Sequence, residues 1–164
     1  MPIKRNLNIK ELSRDHHFGL LFCWKVKEGI KKNVFLERIN KYVCFFWKGH
    51  LQPHFLEEEL LLFNNVNDAL CDKALEEHRL IRAQVENIAS QNNLSKHHYL
   101  DLIEAINNHI RFEERVLFPH LEIILSGEIL NKIGLFLASD QHSSFKDNYG
   151  DEFWLSKKVE NGGD

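Results

Sequence analysis

Apolar residues recur along the chain at intervals of three and four rather than two, and only three prolines and eight glycines interrupt them. This pattern predicts an almost wholly helical protein with no strand candidate. A first helix is expected from about Leu12 to Lys31, broken by the Gly29 to Asn33 stretch, with Asn33 capping a second helix that extends to about Phe63. Asn64 to Asp68 reads as a turn that supplies the caps of a third helix through about Ala89. Ser95 caps a fourth helix running toward Leu125, and Ser126 and Gly127 precede a shorter fifth ending near Ser139. Pro53 and Pro119 fall inside the second and fourth patterns; each removes a backbone hydrogen bond and is expected to kink its helix. Short turns force neighbouring helices to run in opposite directions. The expected fold is therefore all-α, an antiparallel up-down four-helix bundle with a short C-terminal extra helix. A single domain over residues 1–149 would be followed by a tail, 150–164, with Asn161, Gly162 and Gly163 frayed and Phe153 and Trp154 available to dock on the bundle.

Composition changes this picture little. At 164 residues the chain suits one domain with a real core. Its net charge of -3 and pI near 6.4 leave no basic face, so neither nucleic acid nor an anionic membrane is an expected partner. No apolar run approaches the roughly 20 residues that cross a bilayer, and the opening MPIKRNLNIKELSRDHH has no apolar block. A soluble, cytoplasmic protein is expected. Cys23, Cys44 and Cys71, odd in number and set among apolar neighbours, read as reduced thiols rather than disulfides or a zinc pair.

The unusual feature is ten histidines in so short a chain, and their positions repeat. The first helix carries Leu12 and then Asp15-His16; the third carries Leu75 and then Glu77-His78. More specifically, the second helix carries His54, Glu58, Glu59 and Phe63, and the fourth carries His109, Glu113, Glu114 and Phe118 at the same spacing. On the fourth helix His109, Glu113 and Val116 extend the stripe of Ile103, Ile106 and Ile110; on the second, His54, Glu58 and Leu61 extend that of Val43, Trp47 and Leu51. His16 aligns with Leu20, Cys23 and Ile30, and His78 with Ala74, Ile81, Val85 and Ile88. All four helices thus aim polar groups at the core. Unpaired there, each charge would cost several kcal/mol. Two metal cations compensate them directly, with each Glu free to bridge both. The imidazole and carboxylate set suits iron, manganese or zinc better than calcium or magnesium.

Other residues are weighed against this set. His50 lies one turn before His54 on the same face, either completing a metal's coordination, lining its access path, or simply buried and bonded to a neighbouring helix; it stays outside the ligand set. His17 points about 100° away from His16, and it, Asp15 and Glu77 read as outer or surface groups. Glu59 and Glu114 either bond ligand imidazoles from outside or face solvent. His97, His98, His120 and His142 read as surface residues. Phe18, Phe22, Phe46, Phe55 and Phe112, with Trp24 and Trp47, read as core packing.

At these residues the chain resembles the hemerythrin family of HHE cation-binding domains, whose pattern is a histidine on helix one, HxxxE on helix two, a histidine on helix three and HxxxE on helix four. The resemblance covers about Leu12 to Glu122. It implies metal ligation by His16, His54, His78 and His109, with Glu58 and Glu113 bridging two non-haem irons; manganese or zinc are alternatives. Oxygen-carrying members add a histidine one turn before that of helix three, where this chain has Ala74, and use an Asp where it has Glu114. A more open coordination sphere follows, which favours reactivity or sensing over inert storage. The implied function is binding or sensing of dioxygen or nitric oxide. Two alternatives stay open: a di-iron redox enzyme or iron donor in stress and iron-sulfur repair, and a metal reservoir or structural-metal bundle. Any sensing role would need a protein partner, which the sequence does not identify.

Overall fold

The first long helix, α1 (Lys10–Lys31), follows a short 3-10 turn, Leu7–Ile9, in which the Asn6 side chain accepts a hydrogen bond from the Asn8 N–H. The computed structural model describes residues 4–142 and 144–157, and among these every regular element is helical. At the C-terminus of α1 the Asn33 N–H bonds to the Ile30 carbonyl and the Val34 N–H to that of Gly29, while Asn33 itself has φ 56°. Asn33 therefore closes α1 in a left-handed cap, for which asparagine pays little strain. It does not cap the next helix as the sequence suggested. That helix, α2 (Leu36–Phe46), begins after Phe35 with no side-chain cap.

Two rods contain a widened turn. α2 continues through a π-helical turn, Trp47–Leu51, into α3 (Gln52–Leu61), where the Gln52 N–H reaches five residues back to the Trp47 carbonyl. After α4 (Ala69–Ala89), capped by Asp68, the fourth rod repeats the device: α5 (Lys96–Phe112), a π turn Glu113–Leu117, then α6 (Phe118–Ile124), with the Phe118 N–H on the Glu113 carbonyl. Each π turn lies immediately before a proline in the first turn of the following helix, Pro53 or Pro119. The lost proline donor is thus accommodated by a wider turn upstream of it. The extra residue shifts the buried face. After Glu113 it is Leu117 and Leu121 that are fully buried, whereas Val116, expected on the inner stripe, is 45% exposed. Leu62 likewise takes the fully buried place expected of Leu61.

α1 packs on α5, α5 on α4, α4 on α2, and α2 with α3 return to α1, so the rods form a closed helical bundle. Its apolar interior divides into two clusters, one containing Phe22, Phe46, Phe55, Ile81 and Ile110, the other Leu12, Leu62, Ala74, Leu117 and Phe118. On every rod a histidine or glutamate of the candidate set lies between a residue of one cluster and a residue of the other: His16, Glu58, His78 and Glu113. α7 (Gly127–Leu137) packs on the Leu7–Ile9 turn and covers the second cluster. Residues 144–157 run back over the first: Phe153 and Trp154 are buried, and Asp147 accepts hydrogen bonds from the Lys25 ammonium at 2.6 Å and the Tyr42 hydroxyl at 2.7 Å. Asn161, Gly162 and Gly163 lie outside the described residues.

Leu20 and Trp24 are 44% and 48% exposed, contrary to the inward reading; the buried file of α1 runs through Leu12, His16, Gly19, Cys23, Val26 and Ile30. All three cysteines are free thiols, Cys23 and Cys71 buried and Cys44 partly so. Among the described residues no helix is long and apolar enough to cross a membrane.

Candidate metal centre

Each rod brings its polar residues to one level of the bundle. α1 supplies His16, α3 supplies His54 and Glu58 one turn apart, α4 supplies His78, and the α5 to π-turn junction supplies His109 and Glu113. All six are buried, the two glutamates completely. Glu58 presents Oε1 to His54 Nε2 at 3.0 Å and to His16 Nε2 at 3.4 Å, and Oε2 to His78 Nε2 at 3.4 Å. Glu113 mirrors it, with Oε2 at 3.0 Å from His16 Nε2, and Oε1 at 3.2 Å from His109 Nε2 and 3.8 Å from His78 Nε2. The donor atoms fall into two groups able to hold an ion, His16, His54, Glu58 and Glu113, and Glu58, His78, His109 and Glu113. Both glutamates belong to both groups, one oxygen to each.

Around this inner set stand four carboxylates, each from a helix other than that of the imidazole it meets. Glu114 accepts from His16 Nδ1 at 2.7 Å, Glu59 from His78 Nδ1 at 2.8 Å and Glu77 from His109 Nδ1 at 2.8 Å, while Asp15 lies 3.5 Å from His54 Nδ1. Glu114 is itself held by the Ser13 hydroxyl and the Arg5 guanidinium, both at 2.7 Å. Sequence reasoning left these four between an outer bonding role and solvent; the structure puts all four against imidazoles. A proton on Nδ1 leaves Nε2 as a lone-pair donor facing the centre. His78 and His109 then direct two Nε2 lone pairs at one another across 3.1 Å. That contact is repulsive unless a cation or proton lies between them.

The remaining polar atoms point to the same need. His16 Nε2, His54 Nε2 and all four oxygens of Glu58 and Glu113 are buried without a hydrogen-bond partner, a rare condition in folded proteins. Without a metal, protons must serve. Burial alone would lower the imidazole pKa values, but the neighbouring glutamates override it and raise all four, His54 to about 9 and His78 to about 11. Burial would raise the Glu58 and Glu113 carboxyls, yet the surrounding imidazoles hold both far below the usual carboxylate range. The donor set thus fits two cations: two imidazoles and two carboxylate oxygens for each, mixed nitrogen and oxygen ligands of the kind that bind iron, manganese or zinc.

His50 is outside both groups. It lies in the first π turn, its Nε2–H donates to the Asp15 carbonyl at 3.1 Å, and it stacks beside His54 within a cage of Phe18, Phe46 and Phe145. Burial first, and then the positive charge on His54, push its pKa down to about 4. Of the histidines read as surface groups, His97 is exposed, but His98 completes the α5 cap with Ser95, His120 meets Asp68 at 2.8 Å and His142 meets Glu57 at 2.9 Å. Such partners lie on other elements or in turns, out of reach of helical periodicity.

A small cavity, with room for about one water or diatomic molecule, adjoins His16, His54 and His109 on the side of Gly19, Phe55, Ile106 and Ile110. A side chain at Gly19 would place Cβ 2.8 Å from Ile110 Cδ1. A larger residue there would make the tip of the Ile110 side chain shift along this wall.

Comparison with curated proteins and with solved structures returned no match. A family model, the hemerythrin HHE cation binding domain, matches residues 9–121, a span that takes in all six inner side chains and the four carboxylates around them. By that match over most of its length, the chain belongs to the hemerythrin HHE cation-binding family.

Proposed function

We propose that this protein holds two iron ions bridged by Glu58 and Glu113, one also bound by His16 and His54 and the other by His78 and His109, and that the centre binds or senses a small diatomic molecule, dioxygen or nitric oxide. The observation that carries this reading is the division of each glutamate between two imidazole pairs, with the buried oxygens otherwise unsatisfied. Iron at such a centre supplies a Lewis-acidic, redox-active position for a ligand. The chain's part is to orient three imidazoles through Glu114, Glu59 and Glu77, to set Asp15 opposite the fourth, His54, and to exclude bulk water. Phe55 stacks on His78 at 3.7 Å and Phe118 on His16 at 5.4 Å, giving the centre apolar walls. A cavity of one-molecule size favours a diatomic ligand over a larger substrate, and the carboxylate-held imidazoles favour a retained ion over one released to an acceptor.

The same reading takes residues 1–149 as one domain with 150–164 as its tail, in the cytoplasm, and the bundle as antiparallel. Support for the last comes from cluster order: α1 and α4 pass from the second cluster to the first, α3 and the α5 rod from the first to the second. The gas-binding claim is tested by the absorption spectrum of iron-loaded protein before and after exposure to dioxygen or nitric oxide. A reversible gas-dependent change is expected; a spectrum indifferent to both gases would leave a structural or storage metal.

A further inference from the structure

On the solvent side of His54 lies a second kind of polar cluster. Asp15 of α1, Glu57 of α3 and His142, beyond α7, come together with side chains only 12–13% exposed, and one ligand atom from each lies within 4.8 Å of the others. His142 Nδ1 sits 3.1 and 2.9 Å from the two Glu57 oxygens, and its Nε2 is 3.9 Å from Asp15 Oδ2. That last separation is too long for a hydrogen bond. An independent observation points into the same place: His54 Nδ1, buried and without a hydrogen-bond partner, is aimed at Asp15 Oδ2 from 3.5 Å. A groove of about 480 Å³, which includes Asp15, His17, His142 and Phe145 in its lining, brings solvent to the cluster.

From this geometry we propose a third divalent-cation site, formed by Asp15, Glu57 and His142 and completed by water. Two carboxylates and one imidazole, gathered from three separate segments, match the preference of a first-row divalent cation for mixed oxygen and nitrogen ligands while leaving positions for water. Asp15 Oδ2 faces both His142 Nε2 and His54 Nδ1, so the outer site and the inner centre share one carboxylate. The site rests on different donors from the inner centre and does not require the inner metal to be iron.

The test uses the full chain loaded with two equivalents of zinc and then titrated with manganese(II), free manganese being read from its electron paramagnetic resonance signal. Zinc is held more tightly than manganese by a given donor set and is not displaced. One further manganese per chain is expected, with affinity reduced at least about tenfold, as for loss of a metal ligand or its support, in His142→Ala and in Glu57→Gln. No manganese bound by the wild-type chain, or the same binding in both variants, would overturn the third site and leave the cluster a structural clip. Zinc retention reports separately on the inner centre: loss of zinc from wild-type protein counts against the inner reading, whereas the variant difference in manganese decides the outer one.

Discussion

Three imidazoles of the centre, those of His16, His78 and His109, are fixed from two sides, Nε2 facing inward and Nδ1 hydrogen-bonded to a carboxylate of a neighbouring helix, while His54 Nδ1 faces Asp15 from 3.5 Å. Removing an inner donor should therefore remove metal, and removing an outer one should weaken it. His54→Ala or His109→Ala is expected to lower metal content sharply by elemental analysis. His98→Ala should keep full metal content and lose only the Ser95 cap contact, about 1 kcal/mol in chemical denaturation. Glu114→Gln, which keeps the shape of the group that holds His16, should reduce metal affinity by roughly 10–100-fold. The six inner residues were legible because each lies on the apolar stripe of its own helix. The four outer carboxylates were legible only as groups either bonding imidazoles from outside or facing solvent, since each stands beside a candidate ligand in sequence but meets a histidine on another helix.

The helices themselves were largely legible from periodicity, caps and turns, and the two prolines correctly marked places where a regular helix fails. What periodicity of 3.6 residues could not give was the remedy, a π turn, and with it the one-residue shift that buries Leu117 instead of Val116. Both wide turns border the centre: one ends three residues before His54, and the other begins at Glu113 itself. Such turns recur at functional sites because they re-aim side chains at some cost in helix stability. Pro119→Ala restores an N–H that can close a regular turn onto the Arg115 carbonyl. The metal-free variant is expected to be at least as stable to heat as the parent while binding metal more weakly. Unchanged affinity would mean that the wide turn does not set the position of Glu113.

For the molecule as a whole, metal and protons compete for the same buried groups. In the metal-free chain His54 and His78 have pKa values raised to about 9 and about 11, above the 6.5 of a free imidazole. Their contribution to stability is fully present below about 6.5 and is lost as pH rises through those values. Glu58 and Glu113 are depressed, so theirs is present above the ordinary carboxylate pKa of 4.5 and lost as pH falls through their folded values. The melting temperature of metal-free protein should therefore fall between pH 7 and pH 10. Metal-loaded protein should not share that fall, because the ions replace the protons, and metal affinity should rise with pH over the same interval. The docking of residues 144–157 was only partly legible: Phe153 and Trp154 were apolar enough to suggest it, but the Lys25–Asp147–Tyr42 anchor joins positions more than a hundred residues apart.

The most direct test of the central claim is to count and locate the ions in protein produced with ample iron, by elemental analysis together with anomalous X-ray scattering from crystals. Two ions per chain, each between one imidazole pair and both glutamates, is the predicted result. A single ion, or two ions not shared by Glu58 and Glu113, would contradict it.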